Sequence, residues 1–338
     1  MNKTPDARLQ TPDANLQTSD TGRPAQSDRL MRATAADNQL RCLAAITTNL
    51  VGEACRRHQT YPTASVALGR TLTGTLLLGS SFKDLEKITV KFDCDGPIGD
   101  IVAQADAHGK VRGYVTNPSA DITAMNALGK FDVRAVVGNG TMYVQRDLGF
   151  EIGLSLEPYR GSVPIVSGEI GDDFAYYLGK SEQINSAVGL GVLMKIANPM
   201  DARVATSPEF ALEDLRVAAS GGFIIQMMPD TSEEIIGYLE HHLPTVPNPT
   251  VMVSEGLSAL EMLQRVLGDL EITVLDERAP SFKCQCSRQR VEVMVSALGK
   301  DEVADMLAKD NGAEVICHYC NEKYQFSDAE LQAILNEA

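Results

Sequence analysis

The stretch FKCQCSRQR at Phe282–Arg290, followed thirty residues beyond its second cysteine by Cys317-His318-Tyr319-Cys320, decides how this chain is organised. Four thiols in two close pairs supply a tetrahedral set of soft ligands that suits Zn²⁺. Each pair sits on a local turn, so the chain between them can fold around one ion. That staple is needed, because the segment from Phe282 to Ala338 is too small to hold itself by its core alone. Ser287 is placed to cap a helix carrying Val291, Met294, Val295 and Leu298, and Ser327 with Glu330 forms a capping box before Leu331, Ile334 and Leu335. Two neighbouring thiols also oxidise to a local disulfide with little rearrangement, which would release the metal. Structural zinc supplies about 10–16 kcal/mol in zinc-finger peptides, more than such a core provides, so loss of the ion should unfold the segment. Lys283, Arg288, Arg290 and Lys323 lie nearby to moderate the charge of four thiolates on one divalent ion.

Upstream of this module the composition changes. Between Asp230 and Lys283 there are ten acidic and three basic side chains. Two short amphipathic helices fit there, Glu233–Leu243 and Ser254–Leu267, separated by the proline-rich LPTVPNPT. They are marginal alone and need a neighbouring surface for their apolar faces. Before them, the pattern reads as an α+β domain over residues 37–229. It opens on a helical stripe of Leu40, Leu43, Thr47, Leu50, Val51 and Ala54. A second helix follows over Thr63–Leu78, opened by Pro62. The period then switches to two at Ile88–Cys94, with hairpins read at Gly99–Ala107/Lys110–Thr116 and Thr141–Leu148/Glu151–Leu156. Glu169–Leu178 reads as a helix, and Ala187–Met194 and Gly222–Met228 as apolar segments. Residues 1–36 read as a disordered tail, in which TPDARLQ (Thr4–Gln10) is nearly repeated as TPDANLQ (Thr11–Gln17).

The 338 residues carry 30 Lys and Arg against 45 Asp and Glu, a formal charge of −15, with no Trp and 5% aromatics. That disfavours phosphate backbones and base stacking, and so a zinc-ribbon nucleic-acid module. Seven cysteines, an odd number in a long chain, do not read as a secreted disulfide scaffold. No apolar run reaches membrane-spanning length and no signal pattern opens the chain, so a cytoplasmic protein with no membrane partner is expected. Cys42, Cys55 and Cys94 read as buried small hydrophobes. Cys42 and Cys55, placed on or near the first helix, would stand roughly 20 Å apart along it, too far for a bridge. His318 lies between two ligands whose tetrahedron is already full, and His241-His242 read as an exposed polar face. Gly74–Ser80 has the glycine spacing of a phosphate loop but lacks its Lys and lies in a helical pattern. Gly138-Asn139-Gly140 reads as a turn. A dithiol oxidoreductase using Cys317 and Cys320 is a second alternative, although its CxxC should open a helix after a strand, and Asn321–Phe326 continues polar and extended.

From about Asp37 onward the chain resembles the heat shock protein 33 family of redox-regulated holdase chaperones. The resemblance is carried by the CxC–CxxC pattern and FKCQCSRQR. It extends to DGP at Asp95–Pro97, VGNG at Val137–Gly140, SGEIGDDFAYYLGKSEQ at Ser167–Gln183 and GGFIIQMMP at Gly221–Pro229. The repetitive tail departs from it. The resemblance implies a non-enzymatic, ATP-independent chaperone for unfolding client proteins. In its reduced, inactive form Cys284, Cys286, Cys317 and Cys320 hold one Zn²⁺. Oxidation forms disulfides between neighbouring cysteines, Cys284–Cys286 and Cys317–Cys320, and the ion leaves. Residues 283–338 then unfold, residues 230–282 act as a metastable helical linker released from the α+β domain, and homodimers form.

Overall fold

The computed structural model describes residues 26–82, 86–122, 131–147, 159–196, 215–310 and 312–337. The tandem repeat near the N-terminus and the strand expected at Glu151–Leu156 lie outside them.

The chain enters as a hairpin, β1 (Arg29–Ala35) and β2 (Leu40–Ile46), followed by α1 (Thr48–His58) and α2 (Pro62–Gly79). A meander follows, β3 (Lys87–Cys94), β4 (Ile101–Asp106) and β5 (Lys110–Val115). After it come α3 (Val133–Val137), β6 (Gly140–Asp147), β7 (Tyr159–Pro164) and α4 (Gly171–Lys180). Two long strands, β8 (Ser186–Ile196) and β9 (Leu215–Met227), complete the first domain. Among the described residues, one antiparallel sheet has the order β1-β2-β9-β8 and a second has β5-β4-β3-β6-β7. Helix α2 lies between the sheets, packed on β3, β4 and β5 of one and on β2, β8 and β9 of the other. Every residue from Thr63 to Gly79 except Arg70 is buried, as a helix apolar on all sides must be. Gly74 marks a close approach: a Cβ there would stand 2.7 Å from the Phe174 ring of α4. The phosphate-loop spacing is therefore a helix-packing feature.

Two expectations are corrected at the start of the chain. Residues 29–35 are not tail but strand β1, and the helical stripe expected from Asp37 is split between strand β2 and helix α1. Cys42 accordingly lies on β2, away from the helix that carries Cys55. The reason is that β2 is buried on both faces. Leu43 and Ala45 face the core around α2, while Cys42, Ala44 and Ile46 face the opposite cluster. A strand apolar on both sides loses its alternation and cannot be told from a helix by period. The turn joining β1 to β2 holds Ala36, Asp37 and Asn38 at φ of 50°, 52° and 66°. Asp37-Asn38 was the available hairpin signal.

The linker is helical only in part. Helices α5 (Glu233–His242), α6 (Pro249–Ser254) and α7 (Ala259–Leu267) lie on the outer face of the first sheet. Strands β10 (Ile272–Arg278) and β11 (Ser281–Phe282) follow. Strand β10 adds antiparallel to β1 at one sheet edge, and β11 adds parallel to β5 in the other sheet. No local pattern predicts these strands, because their pairing partners lie more than 150 residues upstream.

The C-terminal module comprises α8 (Arg288–Ser296), α9 (Lys300–Asp310), a hairpin of β12 (Ala313–Ile316) and β13 (Lys323–Phe326), and α10 (Asp328–Glu337). Its described core is Val291, Val295, Val303, Phe326, Leu331 and Ile334. The Ser287 cap is in place, its Oγ accepting from Arg290 N–H; of the capping box at Ser327, the Glu330 half is present, its carboxylate accepting from the backbone N–H and hydroxyl of Ser327 at 2.8 Å each.

Candidate metal centre

Cys284 follows β11 directly. Ser281 and Lys283 donate their N–H groups to the carbonyls of Gly109 and Val111 on either side of the pairing with β5. Cys286 comes just before the Ser287 cap of α8. Cys317 and Cys320 form the tip of the β12–β13 hairpin. There the Cys317 carbonyl accepts from the N–H groups of Cys320 and Asn321, and Asn321 takes the left-handed conformation at φ 56°. The CxxC thus closes a hairpin and does not open a helix, which removes the geometric basis for a thioredoxin-like site.

The four Sγ atoms lie within 4.8 Å of one another. Cys284 and Cys317 sulfurs are 3.7 Å apart, and Cys286 and Cys320 sulfurs 3.3 Å. Sulfurs bound at about 2.3 Å around a tetrahedral ion stand roughly 3.8 Å from each other. The donor set therefore fits a metal ion held by four thiolates, with Cys320 buried and the other three half-buried. His318 sits at the same hairpin tip, its ring tilted against Tyr114 at 6.1 Å, and is not among the clustered donors.

The surroundings favour charge on one sulfur in particular. Burial pushes the Cys284 thiol up, but the backbone N–H of Cys286, the Arg112 guanidinium and the neighbouring thiols outweigh it and bring it down to about 7. Burial holds Cys317 and Cys320 above the usual thiol range. Two donors to sulfur come from residues the sequence did not single out. Arg112 Nη1 lies 3.3 Å from Cys284 Sγ, and the Tyr324 hydroxyl donates to Cys286 Sγ at 3.1 Å. Tyr324 has a local signal, being four residues past Cys320; Arg112 has none, being 172 residues upstream of its sulfur. Three of the four cations expected to moderate the charge are engaged with other partners. Arg288 holds Glu330 and the Gln325 carbonyl, Arg290 the Gln285 carbonyl, and Lys323 pairs with Glu314.

The hairpin tip is docked on the first domain. Arg57 pairs with Glu322 at 3.1 Å, Asn321 Nδ2 donates to the Arg57 carbonyl at 2.8 Å, and the Arg112 guanidinium lies 4.0 Å over the Tyr319 ring. The other cysteines are remote from this chemistry. Cys42 and Cys55 are buried and Cys94 is half-buried; burial raises all three thiols, Cys42 and Cys94 to about 12. His241 and His242 end α5, where His242 stacks on Tyr238. Among the described residues, no helix is long and apolar enough to cross a membrane.

Two sheets around a buried helix, a covering linker and a four-cysteine module define a two-domain α+β protein whose clustered thiols form a candidate metal site. The sequence model described as "Hsp33 protein" matches residues 28–327, and the chain belongs to that family. It is 44% identical to the 33 kDa chaperonin of Listeria innocua serovar 6a, covering 92% of this chain and 99% of the relative. It is 45% identical to the 33 kDa chaperonin of Bacillus subtilis, with the same shares covered. The crystal structure of the 33 kDa chaperonin (heat shock protein 33 homolog) from Thermotoga maritima superposes with a TM-score of 0.79 at 32% identity, over 92% of this chain and 98% of that one.

Proposed function

We propose that the chain is an ATP-independent holdase chaperone whose grip on unfolding proteins is gated by the redox state of Cys284, Cys286, Cys317 and Cys320. The ion of the reduced state is Zn²⁺, for which four thiolates at these separations are suitable ligands. When bound, it supplies the cross-link that the small core of the C-terminal module lacks.

One observation carries the reading. The segment that covers an apolar sheet face is the same segment that ends at the first metal ligand. Leu239, Met252, Val253, Ala259, Met262, Leu263, Val266 and Leu267 cover Met31, Ala33, Leu40, Cys42, Ala44, Ile46, Phe223 and Ile225. From α7 the chain runs through β10 and β11 straight to Cys284. In the proposed activation, each neighbouring thiolate pair, Cys284 with Cys286 and Cys317 with Cys320, gives two electrons to the oxidant and forms one S–S bond. With peroxide as the oxidant, each bond formed consumes one peroxide and two protons and releases two waters. Four ligands are thereby lost and the ion is released. The module unfolds, β11 and β10 lose their anchor, and the linker leaves the sheet. Two apolar faces appear together, the sheet's and the linker's, which is a bistable element biased by a covalent event. Clients and a second copy of the chain are the occupants of those faces, and the high negative charge keeps the open form soluble.

The test compares reduced, zinc-loaded protein with oxidised, zinc-free protein in suppressing aggregation of a heat-unfolding model protein. Suppression by the oxidised form alone is expected. Equal performance by both forms rejects redox gating, and no effect from either rejects chaperone activity.

A further inference from the structure

From outside the cysteine module, Arg112 touches one sulfur of the CxC pair and the turn that carries the CxxC pair. It stands on β5 of the first domain, and its Nη1 lies 3.3 Å from Cys284 Sγ. Its guanidinium plane lies 4.0 Å over the ring of Tyr319, the residue immediately before Cys320. The side chain is held in that pose from below. Nε and Nη2 donate to Gln104 Oε1 at 3.1 and 2.7 Å, and Gln104 Nε2 donates onward to Thr89 Oγ1 at 2.9 Å. Three adjacent strands of one sheet thus aim a single cation at the cluster. Tyr319 is fixed from two further sides, by the edge of Tyr114 at 5.5 Å and by His58 Nε2 at 3.3 Å from its carbonyl oxygen.

We propose that Arg112 is the positioning residue that couples the metal centre to the first domain: it donates to the Cys284 thiolate while its face packs on Tyr319, so that ligand geometry and domain docking depend on one side chain. The inference rests on the zinc reading above. Only a planar cation can do both jobs at once, an N–H to sulfur in its plane and a face to an aromatic ring. Donors to metal-bound ligands typically tune metal affinity by 10- to 100-fold. The half-buried position of Arg112 puts its effect near the lower end, about 10-fold.

The experiment uses the full-length reduced chain and the variants Arg112→Gln and Arg112→Lys. Zinc affinity is measured by competition with a chromogenic chelator, and the cobalt-substituted proteins are compared by their thiolate-to-cobalt charge-transfer absorption. Arg112→Gln should bind one ion per chain about 10-fold more weakly, and its charge-transfer band should shift because one sulfur has lost a donor. Arg112→Lys should recover part of the affinity through charge, without the ring contact. Wild-type affinity and an unshifted band in Arg112→Gln overturn the inference. Weaker binding with an unshifted band also overturns it, since that is packing without a bond to sulfur. Should Arg112→Gln fail to fold, Arg112→Lys decides by the same two readings. A wild-type chain that binds neither zinc nor cobalt overturns the zinc reading and this inference together, whereas normal wild-type binding with indifferent variants removes this inference alone.

Discussion

His58 Nε2 lies 3.3 Å from the carbonyl oxygen of Tyr319, joining the last turn of α1 to the tip of the cysteine hairpin. The ring is half-buried and meets Phe282 edge-on at 6.4 Å. Burial pushes its pKa below the usual 6.5; carbonyls of Tyr319 and Gly113 pull the other way, and the charge of Arg57 adds to the lowering. A base with a depressed pKa contributes stability that is complete above its unfolded value and is lost as pH falls through the folded one. The docked module should therefore loosen as pH drops below about 6.5, as the neutral ring is forced to charge. Protease cleavage of the reduced protein, measured across pH 5–7.5 (about the range over which His titrates), should accelerate at the acid end. The change should be smaller in His58→Gln. An identical pH profile for the two proteins counts against this role.

The second prediction concerns the cluster itself. Cys317→Ser removes one of four donors and leaves a hydroxyl, a poor ligand for a soft tetrahedral site. A quarter of the typical 10–16 kcal/mol for structural zinc is roughly 2.5–4 kcal/mol, or about 100- to 1,000-fold in affinity. Chelator competition should show that loss, and aggregation suppression should appear in the variant without oxidant. Wild-type affinity together with a wild-type redox response is the result that rejects the assigned switch.

A third prediction separates the linker from the metal. Leu263 is fully buried against the first sheet. Leu263→Ala should cost about 2–5 kcal/mol of local stability through lost burial and the cavity left behind. In the reduced protein, zinc content should remain one ion per chain while proteolysis between Glu233 and Leu267 accelerates and partial aggregation suppression appears. Unchanged proteolysis would mean that the linker is held by something other than this packing.

The features legible in the sequence were those fixed by neighbouring residues. Pro62 announced α2. His108-Gly109 announced the β4–β5 hairpin, where the Asp106 carboxylate accepts from the N–H groups of His108 and Lys110 and Gly109 takes φ 83°. Ser327 and Glu330 announced α10, and the spacing of the four cysteines announced a cluster whose sulfurs do meet. The unreadable features depend on partners far along the chain. Strand β1 carries Arg29 and Arg32 among its apolar residues and is ordered by β2 on one side and by β10 on the other. Strand β10 exposes Val274 and Leu275, so its pairing rather than its burial pattern makes it a strand. The contact of Arg112 with Cys284 follows from the parallel pairing of β11 with β5, a register that no local signal sets.

The last prediction bears on the first domain alone. Asp173, in the first turn of α4, is fully buried. One carboxylate oxygen accepts from the N–H groups of Val166 and Ser167 at 2.8 and 2.9 Å, and the other from Gly168 and Ile170 at 3.1 and 3.0 Å. This single side chain satisfies four backbone donors of a loop in which Gly168 and Ile170 both have positive φ, 73° and 68°. An isoleucine in that region is strained, so the carboxylate has to hold the loop against it. Asp173→Ala strands the donors without an acceptor, at about 1–3 kcal/mol for each one left buried and unsatisfied. With partial rescue by water, about 3–5 kcal/mol should be lost. Asp173→Asn keeps the volume but offers one acceptor oxygen and an amide that faces donors, so it should recover less than half of the loss. Urea unfolding of the reduced protein measures both. Zinc stoichiometry should stay at one per folded chain in each, because the loop belongs to the core around α2 and not to the cysteine module. A loss below about 1 kcal/mol in Asp173→Ala would show that the loop finds other acceptors and that its shape does not depend on this carboxylate.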